Sequence, residues 1–444
     1  MMKIKKTLNF IVLALITFAI NIVLFSCGAT QPTSNSTPEI PYTIYVSKSG
    51  NDNNDGSTSN PFFSINKAIS KAYELLSKSN YIITIKLGEG IYTNNDGLNP
   101  TITIFITNAK ISLEGGWNSD FSDQTGITVI DLSNETKQGI VIKNTSDIEI
   151  NNLSILNAKT YYSIGGGILI KDSSSITISN VIISNSLSSL GGGGIAIDSS
   201  SKVKLFVKLI GNTSYSSGGG ILITNSYQNE IYGDIINNLS TQYGGGICIF
   251  NSSTNKVQST ITNNSASSGG GVALVETKSV DNEIYGNISL NSGSVAGGGV
   301  LFYKSKNSIL SATIQGNSSP LGGGVAIQLP QGQIIITESV ITNTSSTGAK
   351  QSVIYISNSV SLTSLIIDKC KIAGTTSNPL YGIYEDGADI SGHTISTTTF
   401  YTNTLSQLYH DPDGDIAITG ISTLNTISTL HDATGINNIA ANLP

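Results

Sequence analysis

Seven glycine triplets end at Gly167, Gly194, Gly220, Gly246, Gly271, Gly299 and Gly324, recurring every 25 to 28 residues. A fixed period of this length means one small unit stacked on copies of itself, because such a unit cannot bury its apolar face alone. The asparagines that precede the triplets are steadier still: Asn185, Asn212, Asn238, Asn264, Asn291, Asn317 and Asn343 follow one another in steps of 26 or 27.

Counting back from each asparagine exposes the apolar positions. Three residues before it stand Ile182, Leu209, Ile235, Ile261, Ile288, Ile314 and Val340; seven before it stand Ile178, Leu205, Ile231, Val257, Ile284, Leu310 and Ile336. The residue after each triplet and the residue two further on are also apolar, from Ile168 and Ile170 in the first repeat to Val325 and Ile327 in the last. That is the period-two spacing of a strand with one buried face. A helical repeat would need spacings of three and four over longer runs, whereas these short β-branched runs are cut by Gly, Asn and Ser.

The repeats therefore read as rungs of strands, stacked about 4.8 Å apart in one register so that inward side chains form continuous columns. The same register predicts an asparagine ladder along the axis, and a hydroxyl column at Ser173, Ser200, Ser226, Ser252, Thr277 and Ser305 that ends at Pro330. The glycine triplets mark a corner that needs positive φ or a close approach of backbone. Regular rungs are expected over 157–345, then degenerate rungs over 346–444 at Val353–Ile356, Gly382–Tyr384 and Leu408–Tyr409, with 430–444 as the far cap. At the other end, Ile65, Ala68, Ile69, Ala72, Leu75 and Leu76 have helical spacing behind a possible N-cap, Ser64, so 64–78 is expected to be an amphipathic capping helix.

The N-terminus is of a different kind. Three lysines within Met1–Lys6 precede an apolar run from Leu8 to Phe25, the layout of a signal peptide. It ends in Leu24-Phe25-Ser26-Cys27, which resembles a bacterial lipobox, and the resemblance implies that Cys27 is lipidated. The division that follows is a signal peptide at 1–26, a lipidated Ser/Thr/Pro-rich tether at 27–42 and a solenoid at 43–444, held to an outer membrane or cell surface by the lipid. The two other cysteines, Cys248 and Cys370, are too few for a disulfide framework and read as small packed side chains.

Tyr45-Val46-Ser47-Lys48-Ser49-Gly50-Asn51-Asp52-Asn53-Asn54-Asp55-Gly56-Ser57, followed by Asn60-Pro61-Phe62, resembles the N-terminal signature of pectate-lyase-like right-handed β-helix proteins. Gly115-Gly116-Trp117-Asn118 with Phe121 is similar to a motif near their first rungs, and the Gly-Gly-Gly-Ile repeats resemble those of bacterial polymorphic outer-membrane proteins. The fold expected is all-β: a single-stranded right-handed parallel β-helix solenoid with an N-terminal capping helix.

Function is less legible. All 23 basic residues are lysine and the net charge is −6, which argues against a nucleic-acid partner. Enzymes of the resembled class place acids on neighbouring rungs and commonly use Arg or Lys beside them. Here Arg is missing, the acids of the regular block are scattered along the sequence, and His393, His410 and His431 all follow that block. No catalytic residue is assigned. Asp411, Asp413 and Asp415 form a weak calcium candidate, although the loop lacks a bidentate Glu.

The eighth residue before successive ladder asparagines reads Lys204, Glu230, Lys256, Glu283, an outward charge ladder that would penalise a slipped register. The sixth reads Phe206, Tyr232, Gln258, Tyr285, an aromatic row of the kind that grips sugar rings or a protein partner. The middle residues of the post-triplet strands, Leu169, Ala196, Leu222, Cys248, Ala273, Leu301 and Ala326, are apolar where alternation points them outward, so either a loop or a partner should cover them. The expectation is a non-enzymatic surface adhesin or host/matrix-interaction scaffold using this lateral face. The alternative is a polysaccharide lyase, hydrolase or epimerase. Nothing in the sequence points to an oligomer.

Overall fold

The structure is a computed structural model that describes residues 38–444 apart from 97–100, 108–109, 134, 343, 348–349, 358–363, 375–379, 387–393, 402–405, 411–416, 420–429, 433–440 and 443–444. The signal peptide, Cys27 and the tether up to residue 37 lie outside the described residues, as do Asn343 and Asp411, Asp413 and Asp415.

Ile40–Pro444 is one compact unit, an all-β parallel solenoid of about 11 turns with one short helix. Among the described residues all strand pairings are parallel and join one turn to the next, forming a long sheet of 20 strands, a second of 13 and a third of 6. The first strand, Ile40–Val46, starts inside the stretch expected to be tether and pairs with Tyr81–Gly88. At the far end Leu430–Asp432 and Ala441–Asn442 continue two of the sheets, so these parts of the expected cap are further rungs.

The aliphatic columns fill the interior. Ile178, Leu205, Ile231, Val257, Ile284, Leu310 and Ile336 are all fully buried, as are both positions of every post-triplet strand. Each such side chain contributes roughly 1.5–3 kcal/mol relative to exposure, which makes the columns the main source of stability.

Two expected core residues are misplaced by one. Ile182 is 39% exposed, and its neighbour Ile183 is the buried residue; likewise Val340 is half-buried and Ile341 is inside. The cause in the first case is a bulge. The register of Ser174–Ser184 against Ser201–Ile210 shifts between Ser179 and Val181, where Asn180 takes φ 52°. One extra residue flips the side chains that follow to the other face.

The same shift displaces Asn185. It occupies a left-handed corner at φ 51°, aligned with Gly211, Asn237 and Asn263, while Ser186 stands at the head of the ladder. From Asn212 to Asn317 the ladder is as expected. Asn238 Oδ1 accepts from Asn212 N at 2.9 Å and from Asn212 Nδ2 at 3.0 Å, and Asn264, Asn291 and Asn317 repeat the pattern. In the hydroxyl column, Thr277 is exposed and Ser279 takes its place, donating to Ile249 O. A second buried ladder, Asn229–Asn255–Asn282, was readable from its own 26- and 27-residue spacing but is missed when counting starts from the other asparagines.

Both explanations of the glycine triplets hold, at different positions. The first glycine of each has φ between 63° and 74°. At the second, a Cβ would fall 2.3–2.5 Å from backbone oxygen of a neighbouring segment, as at Gly219 against Gly245 O (2.4 Å) and Leu239 O (2.5 Å). The positive φ folds this segment back over the strand that follows, where Gly192 and Gly269 approach the side chains of Ala196 and Ala273. The outward middle residues from Leu169 to Ala326 are therefore buried by the chain's own corners and by Ile164, Tyr243 and Tyr303. This face is not open to a partner.

The helix α1 runs Ile65–Leu76, with Ser64 Oγ accepting from Lys67 N, and it buries Ile65, Ala68, Ile69, Ala72 and Leu75 against the first rungs. Asp52 braces it: its carboxylate accepts from Phe63 N, Ser64 N and Ser64 Oγ at 2.7–3.0 Å. The aspartates of loop 52–55 thus serve as turn and cap groups, Asp52 at the helix and Asp55 accepting from Ser57 N.

Candidate functional site

The open lateral surface is the outward face of the long sheet. Lys202, Lys204, Phe206 and Lys208 alternate with buried residues along Ser201–Ile210, so all four project to the same side. The next strand pairs Lys204 with Glu230, Phe206 with Tyr232 and Lys208 with Asp234; beyond it Lys256 pairs with both Glu230 and Glu283. The alternation of charge expected along this column is present in the register.

Contacts within it are uneven. Lys204 Nζ lies 3.1 Å from Glu230, and Lys208 lies 3.8 Å from Asp234. Lys256 instead turns its ammonium over the Tyr285 ring, 5.3 Å from the centroid. Glu230 accepts from Tyr232 Oη at 2.8 Å and Glu283 from Tyr285 Oη at 3.1 Å. The Tyr232 phenol first and the Lys204 ammonium second hold the Glu230 carboxyl below its ordinary value, and the same hydrogen bond raises Tyr232.

The aromatic row is not a continuous platform. Phe206 and Tyr232 stack on each other with centroids 4.9 Å apart and planes 7° apart, so each covers a face of the other. Gln258 interrupts the row, and Lys256 covers Tyr285.

Toward the N-terminus the same face sinks into a groove of about 710 Å³. Its charged lining is Lys110, Lys202 and Lys204 with Asp147, Glu149 and Glu230; Ser112, Ser175, Thr177 and Gln228 add hydroxyls and an amide. Lys204 and Glu230 thus belong to both the charge ladder and the groove. Beside them, Phe206 forms the wall of a second depression of about 430 Å³ with Ile182, Asn180, Lys208, Asp234 and Gly233. It lies where bulged strands give way to the unbulged Ser201–Ile210, which brings Ile182 outward beside the ring.

The acids are therefore less scattered than their sequence positions suggest. Asp147 and Glu149 were missed because they precede the glycine repeats. Stepping the eighth-position column back one and two rungs would have found Thr177, which pairs in register with Lys204, and Glu149, which pairs with Thr177. Glu149 and Lys202 have no ion pair among the described residues.

Among the described residues no group of three or more His, Cys, Asp or Glu is placed to hold a metal ion. Neither described cysteine offers a nucleophile, because burial pushes the Cys248 thiol up to about 12 and the Cys370 thiol up to about 11, leaving both protonated.

A family model described as a right-handed β-helix region matches residues 109–288 and 166–341, more than half of the chain. The chain belongs to the right-handed β-helix family. No curated protein matches it. Solved structures similar to this β-helix include the A-module of the Azotobacter vinelandii mannuronan C-5 epimerase AlgE6, at 13% identity over 80% of this chain and 94% of that one, with a TM-score of 0.47. Another is the GH136 lacto-N-biosidase from Eubacterium ramulus, at 11% identity over 81% of this chain and 68% of that one, with a TM-score of 0.41.

Proposed function

We propose that this β-helix is a lipid-anchored, cell-surface polysaccharide-binding protein whose ligand lies on the outward face of the long sheet. The observation that carries the reading is the groove itself. Ammonium, carboxylate, hydroxyl and amide groups converge there beside the Phe206–Tyr232 stack, the combination of hydrogen-bonding groups and aromatic wall that suits sugar rings. An adhesin or host/matrix scaffold of this kind needs no reaction. The Gly-Gly-Gly-Ile repeats and the Cys27 lipobox support a surface setting like that of polymorphic outer-membrane proteins.

Binding of an array of polysaccharides by the intact protein and by Phe206→Ala/Tyr232→Ala is the direct test. Loss of retention in the double variant supports the site, and unchanged retention overturns it. For the anchor, Cys27→Ser should move the protein from the membrane to the soluble fraction and abolish fatty-acid labelling. Equal labelling of both forms would refute it.

A second reading, a polysaccharide lyase, hydrolase or epimerase, is favoured by one observation: Asp147, Glu149 and Glu230 share the groove with three lysines, supplying candidate acids and bases in one place. Cleavage or epimerisation of a bound polysaccharide, abolished by Glu149→Gln or Glu230→Gln while binding persists, would establish it. The same assay with and without calcium tests the candidate loop at Asp411, Asp413 and Asp415.

A further inference from the structure

We infer that the ligand of the lateral groove is an uncharged linear hexose polymer lying along the solenoid axis, with about five of its residues in contact; the inference rests on the groove being a saccharide site.

The length follows from the register. From Ile82 through Lys110, Asp147, Ser175 and Lys202 to Gln228, the lining comes from six successive turns of the long sheet. Five spacings of about 4.8 Å give a trough of about 24 Å, the span of about five hexose units at roughly 5 Å each. A mono- or disaccharide would leave most of this lining unused.

The absence of charge follows from the side chains. Three ammonium groups face three carboxylates, so the lining is formally neutral, and Lys204 is already committed to Glu230 at 3.1 Å. A polyuronate carries one carboxylate per sugar and would set several of them against Asp147, Glu149 and Glu230, in a chain whose net charge is −6. A sugar hydroxyl both donates and accepts. It can give its proton to Glu149 and take one from Lys202, so a lining of mixed sign suits hydroxyl-rich ligands and disfavours polyions of either sign. Charge-assisted hydrogen bonds of this kind are stronger than neutral ones, which lets an uncharged ligand bind well.

The test is calorimetric titration of the full chain with neutral hexose oligomers of one to seven residues drawn from several linkage types, and with oligouronates of matched length, at low and high salt. For a neutral series that binds, affinity should climb with length and level off near five residues, and should change less than about twofold with salt, because no counterions are released. Oligouronates should bind at least about tenfold more weakly, as expected for like charges meeting in the groove. Thr177→Trp, which fills the middle of the trough from an outward position without altering charge, should abolish neutral binding; retention would place the ligand elsewhere and overturn the inference. Asp147→Lys/Glu149→Lys should create salt-sensitive oligouronate binding. Tighter binding of oligouronates by the unaltered protein would overturn the inference while leaving the saccharide site intact. Failure of both series to bind would remove both.

Discussion

Asn264 sits fully inside the stack, where an unpaired amide would cost about 1–3 kcal/mol for each group left unsatisfied. It is kept because it answers its neighbours on both sides. Its Oδ1 accepts two hydrogen bonds from Asn238, while its own N and Nδ2 donate to Asn291 Oδ1 and Nδ2 also reaches Ile235 O. Asn264→Ala strands several of these groups at once and is expected to cost about 3 kcal/mol or more in denaturant unfolding. Lys204→Ala, which breaks a half-exposed ion pair on the face, should cost no more than about 1 kcal/mol in the same experiment. A reversed order would mean that the surface ladder holds the register. Glu230 titrates under the Tyr232 phenol and the Lys204 ammonium, so its stabilising charge is present above the unfolded-state value and is lost only as pH falls through the lowered folded one. Tyr232→Phe should raise the Glu230 titration midpoint toward that of an ordinary glutamate, read by NMR of the carboxyl carbon.

The glycine corner is the element that sets the outer architecture. Its first residue needs positive φ, its second and third have no room for a side chain, and its path over the following strand seals the apolar middle column. Because the obstructing atoms at Gly219 are backbone oxygens of other turns, Gly219→Ala cannot be relieved by a rotamer change. It should lower stability by about 3 kcal/mol or more, the upper range for overpacking, with a visible drop in melting temperature. At Gly332 the nearest atom to an added Cβ is Lys306 Cβ at 2.8 Å, which no rotamer change moves, so Gly332→Ala too requires the backbone to shift. The bulge at Asn180 acts in the opposite sense, opening the surface: it turns Ile182 outward and leaves the depression beside Phe206.

On the scale of the whole molecule, an open stack presents its core and a sheet edge at each end, and both invite association. At the N-terminal end α1 covers the core. The loop 50–62 covers part of the edge, with Tyr45 N donating to Gly56 O and Phe62 N donating to Tyr45 O. Ile69→Asp places a charge on the buried face of α1 and should expose the first rungs, giving soluble oligomers or aggregates by light scattering from a protein that otherwise keeps its β-rich circular dichroism. A monodisperse variant would show that α1 is dispensable as a cap.

The sequence by itself determined the repeat, the parallel stacking, the inward columns and the capping helix, because one residue type recurring at one interval leaves a stack as the only economical way to bury it. Ile231, Asn238 and Ile247 could each be placed by counting alone. Counting failed where inserted residues broke the register, one in the strand bulge ahead of Ile182 and Asn185 and two, Thr277 and Lys278, in the turn before Ser279, since such local events leave the period almost unchanged. The groove was decided only by tertiary structure. Lys110, Asp147, Ser175, Lys202 and Gln228 are far apart in sequence and share no motif; they meet because each turn of the solenoid returns the chain to the same face one strand spacing further along.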